Sequence, residues 1–348
     1  MRFNLSPKEA IMFDPAVLAN LARANKGGFG YLVRIEEILN SRFAGLEDAV
    51  RALVLSVASG EPLLLIGPPG TAKSKLIRAF CGLIGLVQEN NLGADHPDYF
   101  EYLLTPFTEP GELFGFYNIA AARDSRLERE ERGMMQSARV IYLDEVFNGS
   151  SAILNSILAF LNERIFHDRG QRKPVKMECL FAATNQTPET SDLRAVFDRF
   201  VLRCPIDNVE AHVKPLGNLV EVGWAETFGS KQRPAELSGL LERMLAFRAS
   251  VAELTTQGHL NPKANAPFHS ALAQLVQHAR QYDLSQMSNR RVIKLIYIML
   301  VHRIYEAVRQ QDFDDIALGE AELQLLPRYF LDRIDEEAVQ KMRRVVLR

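Results

Sequence analysis

Short apolar runs alternate with longer stretches of helical spacing along the first two thirds of the chain. Leu63–Ile66, Tyr99–Leu104, Arg139–Leu143, Glu178–Thr184 and Phe200–Cys204 are nearly continuous in apolar residues. Such runs suit strands buried on both faces, so five strands separated by helices predict a parallel sheet covered on each side. Between them, Leu46, Val50, Leu53, Val54 and Val57 recur at helical spacing and the pattern stops at Gly60, which reads as a helix C-terminal glycine. From about Pro234 the strand signal ends, and 235–253, 268–282 and 289–310 read as helices. The expected fold is therefore α/β, a parallel five-stranded αβα core followed by a small all-α domain. Three segments are expected: helices at 1–40, the core at 41–230 and the helical domain at 231–348. The glycine cluster Lys26-Gly27-Gly28-Phe29-Gly30 reads as a flexible joint inside the first of these.

Composition narrows the setting. The 348 residues are 47% hydrophobic and 24% charged, with a formal net charge of −2, so bulk charge gives no argument for nucleic-acid binding. No apolar run reaches membrane-span length, and the N-terminus lacks the apolar core of a signal peptide. Cys81, Cys179 and Cys204 lie among apolar residues without metal-ligand spacing, which predicts buried thiols and a cytoplasmic setting. The run 123–132 mixes both signs and reads as a solvated face.

Chemistry concentrates where strands end. After the run at 63–66 come Gly67, Pro68, Pro69, Gly70, Thr71, Ala72, Lys73 and Ser74, then a helical pattern. This is the spacing of a phosphate-binding loop: backbone N–H groups and a helix N-terminus face the phosphates, Lys73 neutralises them, and Ser74 holds Mg²⁺. The strict pattern has Gly where Ala72 stands; Ala is acceptable there if the residue is already helical. The run 140–143 ends in Asp144, expected to hold Mg²⁺ with Ser74, and Glu145, expected to polarise the attacking water. A third run ends at Thr184-Asn185, where Asn185 would help orient that water or form an Asx turn. Arg199, just before the last strand, could neutralise phosphoryl charge on a neighbouring subunit, although spacing alone favours a surface pair with Asp198. His167 and Asp168 read as residues at a hairpin tip, and Met134-Met135 as packing.

Together these elements resemble an AAA+ ATPase of the MoxR family, most closely its RavA-like branch, over roughly residues 40–310. Alanine before the loop lysine is common in that family. Arg42-Phe43-Ala44-Gly45-Leu46 resembles the segment flanking adenine, implying nucleotide contacts by Phe43 and Ala44. Thr108–Gly115 resembles the start of a helix-2 insertion, and Ile153–Phe166 the helix entering the pre-sensor-1 hairpin. The resemblance implies a hexameric ring with ATP and Mg²⁺ between subunits. It makes Asn185 sensor 1, Arg199 a finger acting on the next subunit, with Arg194 a second interface candidate, and Arg290 a sensor-2 arginine within its own subunit, with Arg291 the adjacent alternative. It also implies a homo-oligomer that remodels or activates a protein partner, by chaperoning, metal insertion or complex assembly. The partner it implies is one with a von Willebrand factor A domain. The same core serves nucleic-acid motors, the alternative reading, which the neutral net charge and lack of a DNA-binding module disfavour. A small-molecule kinase is disfavoured by the arginine acting between subunits. The further C-terminal domains of long RavA-like proteins have no counterpart in these residues.

Overall fold

In the computed structural model the described residues are 12–342 apart from 90, 92–94, 119–127, 169, 189–190, 210, 230–236, 264–265, 315, 334–336 and 339. Residues 123–127 of the charged run therefore lie outside the description.

Five strands form one sheet: β1 (Leu63–Ile66), β2 (Tyr99–Leu103), β3 (Val140–Asp144), β6 (Cys179–Thr184) and β7 (Leu202–Pro205), in the order β2-β3-β6-β1-β7. Every pairing in it is parallel. Each lies within two residues of its expected run. Side chains alternate between faces with the period of two that a strand imposes. Leu63, Leu65, Tyr142, Phe181 and Leu202 enter one apolar cluster, while Leu64, Ile66, Ile141, Leu143 and Leu180 enter another on the opposite face. The first cluster is the larger. It also takes in α1 (Pro15–Ala24), α2 (Lys26–Arg42), α3 (Glu47–Ser59), α4 (Lys73–Leu83) and the helices that follow the sheet: α9 (Leu240–Thr256), α10 (Ala266–Gln281) and α11 (Asn289–Gln310). The second packs under α5 (Pro110–Phe114), α6 (Ser151–Glu163) and α7 (Ser191–Phe197). The αβα core with an all-α region after it is thus the fold. α3 ends at Gly60, which adopts φ +72° as the pattern required.

Three departures are informative. The glycine cluster is no joint, because α2 runs unbroken from Lys26 to Arg42. Its glycines allow close helix packing: a Cβ on Gly28 would stand 2.7 Å from Met244 Cε on α9. Phe29 packs beside them, its ring centroid 4.8 Å from that of Phe247 in an edge-on contact. Second, a helix, α8 (Val213–Phe228), forms where no element is predicted. Third, a two-stranded antiparallel hairpin, β4 (Ile165–Asp168) with β5 (Gln171–Pro174), follows α6. There Asp168 is only 2% exposed and accepts from Arg129 Nε at 3.1 Å, so it ties the hairpin inward, while His167 is exposed.

The three cysteines are buried free thiols, and burial pushes Cys179 up to about 11. Arg203 on β7 and Arg291 on α11, both nearly inaccessible, donate to one carboxylate, Asp332, which joins the last strand, the helical region and the C-terminal segment.

If Gly28 serves packing, Gly28→Val should lower unfolding free energy by about 1–3 kcal/mol through overpacking. Urea denaturation checks this; unchanged stability would mean that Met244 yields and the contact does not need glycine.

Candidate active site

The loop after β1 is built by its neighbours. Ile206 N donates to Ile66 O at 2.7 Å, and Gly67 N to Thr184 O at 3.1 Å. A Cβ on Gly67 would lie 1.9 Å from Ile206 O, so only glycine fits between the strands here. Thr71 Oγ1 donates to Pro68 O at 2.9 Å. Lys73, 7% exposed, folds its ammonium back on the loop, donating to Gly67 O (2.6 Å), Pro68 O (2.9 Å) and Asn185 Oδ1 (3.3 Å). Burial lowers its pKa, and the nearby Asp144 and Glu145 oppose that shift. Ala72 corrects the expectation made for it. It is not helical but left-handed, at φ +61° and ψ +22°, capping α4. Glycine would have an advantage here, and alanine carries a strain of roughly 1 kcal/mol.

Parallel pairing brings the other groups to the same edge. Ile66 is level with Thr184, and Leu143 with Ala182, so Asp144 and Asn185 emerge beside the loop. Asp144 Oδ2 accepts from Ser74 Oγ at 3.1 Å, and its Oδ1 from the Glu145 amide at 3.1 Å. Glu145 is itself left-handed (φ +50°), turning the chain abruptly off the strand. A hydroxyl and a carboxylate oxygen side by side are hard donors of the kind Mg²⁺ takes, with water completing its shell. Tyr142, on the same strand face two residues before Asp144, is buried beneath them, and that burial raises its pKa.

A cavity of about 150 Å³ opens beside the loop. Phe43 and Ala44 line it, with Gly70, Thr71 and Ala72. Arg42 and Leu46 of the same segment line it too, with Lys75; sequence reasoning did not point to Asp207–Val209, or to Leu219, Gly223, Glu226 and Thr227 of α8. Residues 207–209 were within reach, since they follow a strand at the carboxyl edge of the sheet, where such crevices form. The Arg42 guanidinium holds Glu226 (2.8 Å) on one side and Glu89 (2.6 Å) on the other. No spacing rule links residues so far apart in sequence.

The arginines stand elsewhere. Leu202 is level with Leu63, the first residue of β1, so Arg199 lies beyond the amino edge of the sheet. The loop lies beyond the other edge, a strand's length away, roughly 13 Å at about 3.3 Å per residue. Arg199 pairs with Asp198 at 3.3 Å, the contact that spacing favoured. Burial lowers its pKa, and so does a second cation nearby, Arg290. Arg290 donates to Asn162 Oδ1 at 2.8 Å. Two residues on, Arg164 reaches the carbonyl of Gly60, which precedes β1, so this corner too belongs to the amino edge. The structure thus puts Arg290 with Arg199 and does not bring it to Lys73, contrary to a role at the nucleotide of its own subunit. Arg291 is fully buried on Asp332. Arg194 is exposed, on a cleft it shares with Asp198, Arg203 and Arg333.

A family model describing the MoxR domain of MoxR–vWA–β-propeller ternary systems matches residues 31–245. The chain belongs to this family. It is a MoxR-family AAA+ ATPase by that membership, and the match contains the loop, Asp144-Glu145, Asn185 and Arg199. Two uncharacterized proteins of Methanocaldococcus jannaschii are 35% and 36% identical to it over 192 residues. Each of these matches covers 55% of this chain, and 48% and 47% of the respective relative, so the chain spans about half the length of the curated relatives it matches. A structural protein of Acidianus two-tailed virus is 30% identical over 168 residues, 47% of this chain and 26% of that protein. A crystal structure from Cytophaga hutchinsonii, described as a candidate ATPase, superposes with a TM-score of 0.58 over 94% of both chains at 15% identity, a likeness of fold.

Because Ala72 is left-handed, Ala72→Gly should escape the loss of about 0.5–1 kcal/mol that this exchange costs inside a helix. Denaturant titration of the MoxR chain reads it; a loss of that size would mean the loop holds Ala72 in a helical conformation.

Proposed function

We propose that this chain hydrolyses ATP at interfaces between copies of itself and uses the cycle to remodel or activate a protein partner. One observation carries the reading: the loop, Asp144 and Asn185 share the carboxyl edge of the sheet, while Arg199 and Arg290 share the amino edge. A guanidinium that meets the γ-phosphate must then come from the next copy. The site is half of a composite one, in keeping with the ring, hexameric by the motif resemblance.

The roles follow from placement. Lys73 gives up the loop carbonyls for phosphate oxygens and stays within reach of Asn185. Ser74 and Asp144 would hold Mg²⁺, which would supply positive charge to offset the charge developing on the phosphates. Glu145 orients the attacking water. Arg199 of the neighbouring copy neutralises charge in the transition state, and Arg290 beside it is assigned to the same neighbouring phosphates. Phe43 and Ala44 hold the base. This is catalysis by positioning and electrostatics, with no covalent intermediate.

The ternary systems named by the matched family support a partner carrying a vWA domain. The RavA-like affinity rests on the motifs alone, and the choice among chaperoning, metal insertion and complex assembly is open to the partner's identity. Among the described residues no helix is long and apolar enough to cross a membrane.

Glu145→Gln should bind ATP but lose turnover by about 10²-fold or more; steady-state phosphate release with a parallel binding titration tests it, and wild-type turnover would remove Glu145 from the mechanism. Arg199→Ala should likewise keep nucleotide and lose turnover by about 10³-fold. Normal hydrolysis by that variant would refute the interface site.

A further inference from the structure

α8 is amphipathic the wrong way round. Its only buried residue is Glu226, held by Arg42 at the base cavity. Its apolar side chains face outward: Val213 is 91% exposed, Val220 61%, Trp224 67% and Phe228 69%. These recur every three or four residues with Leu216, and the Trp224 and Phe228 rings sit 4.5 Å apart. Single exposed apolar residues are ordinary, but a continuous aromatic-rich stripe marks an interaction surface.

We propose that this stripe is the docking surface for a second copy of the chain. In that contact it packs into the cleft between α6 and α7 of the neighbour, whose wall mixes leucines and Val196 with Ser151 and Asn155. The inference rests on the reading of Arg199 as an arginine acting between copies. The cleft, about 340 Å³, is lined by Leu154, Leu158, Leu193 and Val196. On α6 the lining comes from the first half of the helix, away from Asn162; on α7, Val196 O accepts from Arg199 N at 3.0 Å, so the cleft adjoins that arginine. The inner face of α8 lines the nucleotide cavity. A copy that delivers Arg199 to the phosphates must bring its arginine-bearing face over that cavity, and so against the helix forming its wall. The contact is head-to-tail, which closes into rings and not into two-fold pairs. Through Arg42 and Glu226 the stripe is seated on the base pocket, so nucleotide occupancy and docking share one element.

The double variant Trp224→Ser/Phe228→Ser changes exposed side chains only and should bind ATP like the wild type. Light scattering with the Glu145→Gln background and ATP should show assembly weakened by about tenfold or more, as aromatic anchors at interfaces do. Turnover should fall with it. The decisive measurement mixes this double variant, which keeps Arg199, with Arg199→Ala, which keeps the helix. One of their two possible contacts is wholly wild type, so two silent proteins should recover ATPase activity on mixing. Wild-type assembly and turnover by the double variant would overturn the proposal and leave the helix to another partner, such as a vWA domain. Silence of the mixture would overturn it too, since the two faces would then not meet. Full activity of Arg199→Ala alone would fail the composite site instead, while the size measurement on the double variant still reports on docking.

Discussion

Everything in this chain hangs on how β1 is wedged between β6 and β7. Leu63 stands level with Phe181 and Leu202, and Ile66 with Thr184 and Pro205, all in parallel. Parallel strands deliver their ends to one edge, so the phosphate loop, Asp144 and Asn185 converge without any of them being near the others in sequence. The same register sends Arg199, three positions before β7, to the far edge. A shift of two residues would break the contact between Gly67 and the Ile206 carbonyl, which leaves no room for a side chain. Division of the groups proposed for catalysis between two edges is thus a property of the sheet, and the arginines merely occupy one of its ends.

Much of this was legible in the residues. Continuous apolar runs announced the strands because a sheet covered on both sides has no polar face, and the polar residues that ended them marked the functional edge. What was not legible depends on contacts between distant segments. Glycines 27 and 28 signal flexibility only when their neighbours are unknown; against Arg243 and Met244 they signal proximity. The backbone of Ala72 is set by the loop closing on Lys73, not by its own preference. Arg42, Glu89 and Glu226 form a fork from three separate regions. Arg290 and Arg291 were indistinguishable by spacing, yet one points to an exposed corner and the other is sealed against Asp332.

That sealed site says how the helical region is held. Two guanidiniums share one carboxylate, and burial together with the repulsion of Arg291 brings Arg203 down to about 9. Backbone carbonyls of Phe197, Phe200 and Phe330 take several of the other donors, while Arg291 Nε is buried without a hydrogen-bond partner. Removing one member of such a cluster costs far more than the cluster contributes, because it leaves an uncompensated buried charge. The joint between last strand and helical region is therefore specific more than strong.

Trp224 is the only tryptophan among the 348 residues, and it stands two-thirds exposed on the helix that walls the cavity beside the loop. All indole emission from this protein therefore originates at one spot. Its wavelength is a direct optical record of whether that helix is wet or covered, and no label is required to read it.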